Sequence, residues 1–170
     1  MPVLEENVLP DPFKVLKNRQ VIRLVLAEQP LGLASRKEIS FVDIREVPII
    51  NTERGTANRT LLDALLSRNH INPSVVKGYG NEVKNPDAVA SRIANFLADA
   101  GISTEGFARS SGLPFFLPLG IDSYELVMRA ETIKDPKIDT LIKTVQSSSF
   151  RERLSQSGGY LTKNTGKILP

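Results

Sequence analysis

Apolar positions along this chain fall into two patterns, short β-rich runs and helical spacings. The β-rich runs come first: residues 21–27, 31–34 and 47–51 each have the composition of a strand. The pair Gln29-Pro30 is expected to bend the chain between the first two runs. The opening part of the chain therefore predicts short strands joined by turns, after an irregular lead-in.

Helical spacings alternate with strand-like runs from residue 57 onward. The clearest helix carries Leu61, Leu62, Leu65 and Leu66 on one face. Further helices are predicted at 86–97, 135–145 and 150–157, and further strands at 75–80, 98–102, 113–119 and 124–128. This alternation predicts βαβ units, and so an α/β fold with a mostly parallel sheet flanked by helices.

The same patterns divide the chain into three parts. Residues 1–46 are a lead-in followed by crossover strands, and residues 47–102 are a βαβαβ lobe of the ligand-binding type. Residues 103–170 contain return strands and the C-terminal helices. A ligand site is therefore expected in the central lobe.

The stretch from Asn51 to Asp63 is the strongest candidate site. A strand, a turn of small residues and a helix start meet there, so N–H groups point outward from the positive end of a helix dipole. The side chains of Thr56 and Asn58 add donors, and Arg54 and Arg59 flank the helix start. This pattern predicts binding of a small oxyanion. The predicted ligand-binding residues are Arg54, Gly55, Thr56, Ala57, Asn58, Arg59, Asn85 and Tyr124.

Each of these residues also has a purely structural interpretation. Thr56 or Asn58 can serve only as a helix cap, and the two arginines can pair with Glu53 or Asp63. Asn85 is expected to cap the second helix, where a second anion donor is the alternative. Tyr124 has the pattern of a partly buried tyrosine with a satisfied hydroxyl. The sequence alone leaves both interpretations open.

Composition narrows the classes of function. The chain has no cysteine and one histidine, which excludes disulfides, thiolate metal sites and a multi-histidine metal site within one chain. The net charge of +3 is mild and the basic residues are scattered, so we expect no nucleic-acid partner. No apolar run approaches the ~20 residues that span a bilayer, and no signal-peptide pattern opens the chain, so a cytoplasmic protein is expected.

Several segments in order resemble one known family. The stretch Arg54-Gly55-Thr56-Ala57-Asn58-Arg59-x-Leu61-Leu62-Asp63 resembles the Arg-Gly-Ser-Gly-Thr-Arg-x-Leu-Leu-Asp signature of the periplasmic-binding-protein-like domain of molybdate-related proteins. Residues 26–33 are similar to its crossover strand, 116–119 and 124–127 to its return strands, and 150–166 to its C-terminal pattern. Among the departures from the signature, Ala57 replaces a glycine and Asn58 replaces a threonine.

The resemblance implies a type 2 periplasmic-binding-protein-like fold with an incomplete two-lobe architecture, because the family's first half-lobe has no counterpart here. It implies a non-catalytic ligand-binding or sensing domain linked to molybdenum or molybdopterin metabolism. The implied ligand is molybdate, tungstate or a molybdopterin-related compound, with no cofactor. A homo-oligomer, or a partner chain that supplies the missing half-lobe, is also implied. The alternatives are an accessory domain or fragment of a molybdopterin biosynthesis enzyme, and the effector domain of a transcription regulator.

Overall fold

Two strands of 15 residues, β1 (Val21–Ser35) and β5 (Phe115–Arg129), are the longest elements of the computed structural model, which describes residues 20–170. The shorter strands are β2 (Asn51–Thr52), β3 (Glu82–Val83), β4 (Ala100–Thr104) and β6 (Ile168–Leu169). The α-helices are α1 (Ala57–Arg68), α2 (Asp87–Ala94), α3 (Glu105–Ser110), α4 (Pro136–Gln146) and α5 (Ser148–Gln156). Short 3-10 helices lie at Phe41–Arg45, Pro73–Val75 and Ala130–Lys134.

The described residues form two compact units. The first unit contains residues 30–121, and the second unit contains residues 20–29 together with 122–170. Both β1 and β5 contribute residues to each unit, and they are neighbours in a sheet of order β4, β1, β5, with β6 also paired to β1. The second unit is therefore built from two separate stretches of the chain.

The first unit has two apolar clusters. In one, the four leucines of α1 are buried with Leu31, Leu33 and Ile49, which confirms the predicted apolar face of this helix. In the other, Val89 and Ile93 of α2 pack with residues of the strands and of α3. These clusters hold α1 at the end of β2, where the candidate site begins.

The second unit has a smaller core around Leu24, Ile142 and Val145. The predicted helix start at Asp135 is confirmed, because its carboxylate accepts the N–H of Lys137 and proline occupies the first helical position of α4. The end of α5 before the paired glycines 158 and 159, both at positive φ, is confirmed as well.

The sheet is largely antiparallel, which corrects the mostly parallel sheet that the sequence predicts. Strand β1 pairs antiparallel with β4 and with β6. Parallel pairing joins β2 to β3 and forms the bridge from Ile49 to Ala100. Helix–strand alternation does not indicate the direction of β1, because β1 precedes the alternation and its direction depends on partners far along the chain.

Two predicted breaks between strands and one predicted strand are also wrong. No break occurs at Gln29-Pro30, because an extended backbone accepts the fixed φ of proline, and β1 continues through the pair. Likewise β5 continues through residues 120–123, where a loop was expected. The expected strand 75–80 is a turn, in which Gly78 has a φ of +81° and lies so close to Ile49 that a side chain would contact its carbonyl oxygen.

Phe96 and Leu97 were expected on the buried face of the second helix, but their exposed fractions are 78% and 64%. Helix α2 ends before them, and Phe96 occupies the left-handed position that follows a helix, with a φ of +62°. The guanidinium of Arg36 lies 4.4 Å from the Phe96 ring centre. The apolar face therefore ends with α2, whose last residue is Ala94.

Candidate functional site

The candidate loop begins at the end of β2 and turns into α1. Gly55 has a φ of +93°, a conformation that favours glycine, and Thr56 follows in extended geometry as the N-cap. The Thr56 hydroxyl donates to the carbonyl oxygen of Glu53 over 2.9 Å and accepts the N–H of Arg59 over 3.2 Å. The capping interpretation of Thr56 is confirmed, and its hydroxyl is engaged within the loop.

Asn58 faces the interior. Only 4% of the residue is exposed, and its Nδ2 donates to the carbonyl oxygen of Ile102 in β4 over 2.7 Å. A buried carbonyl oxygen needs such a donor, so this contact fastens the first turn of α1 to the sheet. The Asn58 amide therefore has a structural role.

Arg59 is 2% exposed and is held on several sides. Its Nε donates to both oxygens of Asp63 over 3.0 and 3.1 Å, and its Nη1 donates to Glu82 over 2.6 Å. The guanidinium lies 4.2 Å from the ring centre of Tyr79, whose hydroxyl donates to Asp63. Burial lowers the pKa of Arg59, but hydrogen bonding with Tyr79, Glu82 and Asp63 outweighs it and raises the pKa above its usual range. The predicted Arg59–Asp63 pair is confirmed.

Two main-chain N–H groups at the start of α1 remain without an acceptor among residues 20–170. The Thr60 N–H makes the first helical bond, to the carbonyl oxygen of Thr56, and Arg59 uses the cap. The N–H groups of Ala57 and Asn58 are left over, as helix geometry requires. Arg54 is exposed nearby and has no ion pair or hydrogen bond within the described part of the chain.

The remaining two predicted site residues lie elsewhere. Asn85 is exposed, and α2 begins beyond it with Pro86 at the cap position. The predicted side-chain cap is therefore wrong, because Asn85 instead uses its carbonyl oxygen to accept the N–H of Ala88. Tyr124 belongs to the second unit. The structure thus gathers residues 54–59 in one loop, with Asn85 and Tyr124 on other elements.

Tyr124 lies in a polar cluster that the sequence did not predict. Asp122 and Tyr124 alternate along β5, so their side chains share a face of the sheet. Gln29, which is 7% exposed on the neighbouring β1, donates its amide to Asp122 over 3.3 Å and to the Tyr124 hydroxyl over 2.9 Å. Burial raises the pKa of Tyr124, and the Asp122 charge adds to this. The i, i+2 spacing in β5 was a usable signal, but the neighbouring Gln29 was not.

Residues 20–170 contain no group of three or more histidine, cysteine, aspartate or glutamate side chains arranged to hold a metal ion. Within the same residues, every helix is too short or too polar to cross a membrane.

Comparison with known proteins gives two relatives by sequence. The protein YvgK of Bacillus subtilis (strain 168) is 35% identical over 174 residues, which cover 99% of this chain and 53% of YvgK. This chain thus spans about half the length of YvgK. A protein encoded in the 5′ region of the ferredoxin 2Fe-2S gene of Clostridium pasteurianum is 34% identical over 109 residues, which cover 64% of this chain and 96% of that protein.

The fold is shared with solved structures at low sequence identity. PstS from Borrelia burgdorferi superposes with a TM-score of 0.54 at 14% identity, over 89% of this chain and 76% of PstS. A family model described as the PBP superfamily domain matches residues 5–146, which is most of the chain. The chain therefore belongs to the PBP superfamily domain family, the periplasmic-binding-protein-like proteins.

Proposed function

We propose that this chain is a non-catalytic domain that binds a small oxyanion at the start of α1, in the setting of molybdenum or molybdopterin metabolism. The observation that carries the proposal is the pair of N–H groups of Ala57 and Asn58, which have no acceptor among residues 20–170 and lie beside the exposed Arg54. The N-terminus of a 12-residue helix favours an anion through its dipole and its free donors. Membership of the PBP family supports a ligand-binding role, and the resemblance of residues 54–63 supports molybdate or tungstate as the anion.

The donors in this proposal are main-chain groups, because the predicted side-chain donors are engaged elsewhere. Arg59 adds no net positive charge, since Asp63 and Glu82 together outweigh its single charge. Arg54 is the cation that remains near the loop. The Arg59 network instead fixes the turn, since its Nη1 also donates to the Thr52 carbonyl oxygen over 3.3 Å. A rigid turn lowers the entropic cost of binding.

Titration calorimetry and thermal unfolding with molybdate, tungstate and sulfate test this proposal, with chloride at matched ionic strength as the reference. An anion that binds only the native state stabilises it by about 2.7 kcal/mol at a hundredfold excess over Kd. We expect molybdate or tungstate to give saturable heat and a higher Tm. Identical behaviour in molybdate and chloride would remove the oxyanion from the proposed function.

The variant Ala57→Pro removes one proposed donor without disturbing the helix. Ala57 is the first helical residue, where proline is well tolerated, and Thr56 before it has the extended backbone that precedes proline. Hydrogen bonds to charged groups contribute about 1.5–3 kcal/mol, so we expect Kd for molybdate to rise about tenfold or more. The matched control is Ser148→Pro, at the first position of α5, which should leave Kd unchanged.

The assembly of the protein is part of the same proposal. We infer that a second copy, or a partner chain that supplies a further half-lobe, associates with this domain in the cytoplasm. The support is the two-lobed architecture that the resemblance implies. Sedimentation of the full chain at tens of micromolar, alone and with molybdate, distinguishes a monomer from an oligomer.

A further inference from the structure

The outer edge of β5 has no strand beside it among residues 20–170. Strand β5 ends the sheet order β4, β1, β5, so its one neighbour there is β1. The Ala130 N–H donates to the Gln20 carbonyl oxygen over 2.8 Å, which fixes the edge that faces β1. Main-chain groups alternate sides along a strand, so those of Glu125, Val127 and Arg129 point to the other edge. This edge therefore offers a row of donors and acceptors to a further strand.

Two features of this edge favour the addition of a strand. No proline interrupts residues 122–129, so every residue there has an N–H group. On one face of the strand, Leu126 and Met128 are only partly buried against the core around Leu24. Apolar residues of an added strand would lie beside Leu126 and Met128 and would extend that core.

The charges on the edge favour a second copy of the same strand. In an antiparallel self-pairing centred on Val127, Glu125 of each copy lies opposite Arg129 of the other. A pairing centred on Glu125 would instead place two carboxylates opposite each other, which is destabilising. The side chains of Arg129 and its present partner Glu131 are 76% and 70% exposed, so that pair contributes little and does not hold Arg129 in place. Glu125 lies 3.4 Å from Arg23, but its Oε2 accepts no hydrogen bond within the described residues, so a further donor would complete its bonding.

We propose that a second copy of this chain pairs its residues 125–129 antiparallel with the same residues of the first, centred on Val127. The pairing forms about six main-chain hydrogen bonds and two Glu125–Arg129 pairs. The proposal rests on the assembly inferred above, and it names the surface and its occupant. It can fail independently of the oxyanion site, because residues 125–129 belong to the second unit and α1 belongs to the first.

Sedimentation equilibrium of the full chain, from about 1 μM to about 1 mM, tests the association. We expect a reversible monomer–dimer equilibrium. Arg129→Glu places a second carboxylate opposite Glu125, so it should raise the Kd of the dimer about tenfold or more. The matched control is Lys134→Glu, an exposed residue beyond the strand with the same change of charge, which should leave this Kd unaltered. A chain that stays monomeric throughout, or equal effects of the two variants, would overturn the proposal, whatever calorimetry with molybdate shows.

The register of the pairing has its own test, because the chain contains no cysteine. Val127→Cys places two thiols directly opposite each other at the centre of the pairing. Ser123→Cys, four positions from the centre and exposed, places its two thiols roughly 26 Å apart. Mild oxidation should therefore join Val127→Cys chains into a disulfide-linked dimer much faster than Ser123→Cys chains. Equal rates would refute this register, and if Val127→Cys does not fold, the comparison of Arg129→Glu with Lys134→Glu decides the question.

Discussion

Replacing Arg59 with alanine should destabilise the protein far more than a typical arginine substitution. The side chain of Arg59 is 3% exposed, whereas those of Asp63 and Glu82 are 42% and 36% exposed. Without the guanidinium, the two carboxylates regain water but repel each other, and Tyr79 loses its cation–π partner.

The expected cost follows from these contacts. A hydrogen bond to a charged group contributes about 1.5–3 kcal/mol, and partial exposure of the carboxylates reduces each contribution here. Removing one partner of a fully buried pair costs about 3–5 kcal/mol, which sets the upper bound. We therefore expect Arg59→Ala to lower the free energy of unfolding by about 3 kcal/mol. With an m-value of about 2 kcal/mol/M, the urea midpoint would fall by about 1.5 M.

Urea unfolding followed by circular dichroism measures this effect, with Arg109→Ala as the control. Arg109 also pairs with a carboxylate four residues away, Glu105, but its side chain is 75% exposed. Its loss should cost less than about 0.5 kcal/mol. Arg59→Lys keeps the positive charge but lacks the planar guanidinium. It should therefore recover less than half of the free energy of unfolding that Arg59→Ala loses. If Arg59→Ala and Arg109→Ala shift the midpoint equally at the same m-value, the network contributes no more than a surface pair.

Two further predictions concern the first unit. Gly78→Ala should destabilise by more than about 2 kcal/mol, because left-handed backbone disfavours alanine and the new methyl group would lie 2.2 Å from the Ile49 carbonyl oxygen. Gly55→Ala, at φ +93° with open space around it, should cost only about 1–2 kcal/mol, and equal urea midpoints for the two variants would contradict this reasoning. Hydrogen bonds from the Ser40 side chain and backbone lower the pKa of Asp43 below its ordinary 3.8. That stabilisation is present above pH 3.8 and is lost as pH falls through the lower folded value, so an NMR titration of Ser40→Ala should show the Asp43 pKa moving up.

Local patterns predicted the helices well because each depends on nearby residues. The leucines of α1, the Asp135 cap and the glycines after α5 each act over a few positions. The Arg59–Asp63 pair was equally accessible, since i, i+4 spacing places both side chains on one helix face. Glu82, the other acidic partner of Arg59, comes from a different strand, and no local pattern indicated it.

Strand partners were harder to predict because they depend on distant residues. Alternating apolar residues show that β1 is a strand, but not that it runs antiparallel to β4. The same limit hid the hydrogen bond from Gln29 to Asp122, because the two residues are 93 positions apart. For Asn58, the residue type suggested a surface donor, while burial against Ile102 made it a structural contact.

The divided second unit has a consequence for synthesis on the ribosome. Residues 20–29 are synthesised before residues 30–121, but the part of β5 that belongs to the same unit begins only at Asp122. At about 5–20 residues per second, the ribosome needs roughly 5–20 seconds to translate the intervening stretch. During that time Leu24 and Val25, which are almost fully buried in the finished protein, have no native core to enter. The nascent chain therefore exposes a β-rich apolar segment until the residues from Asp122 onward have been synthesised.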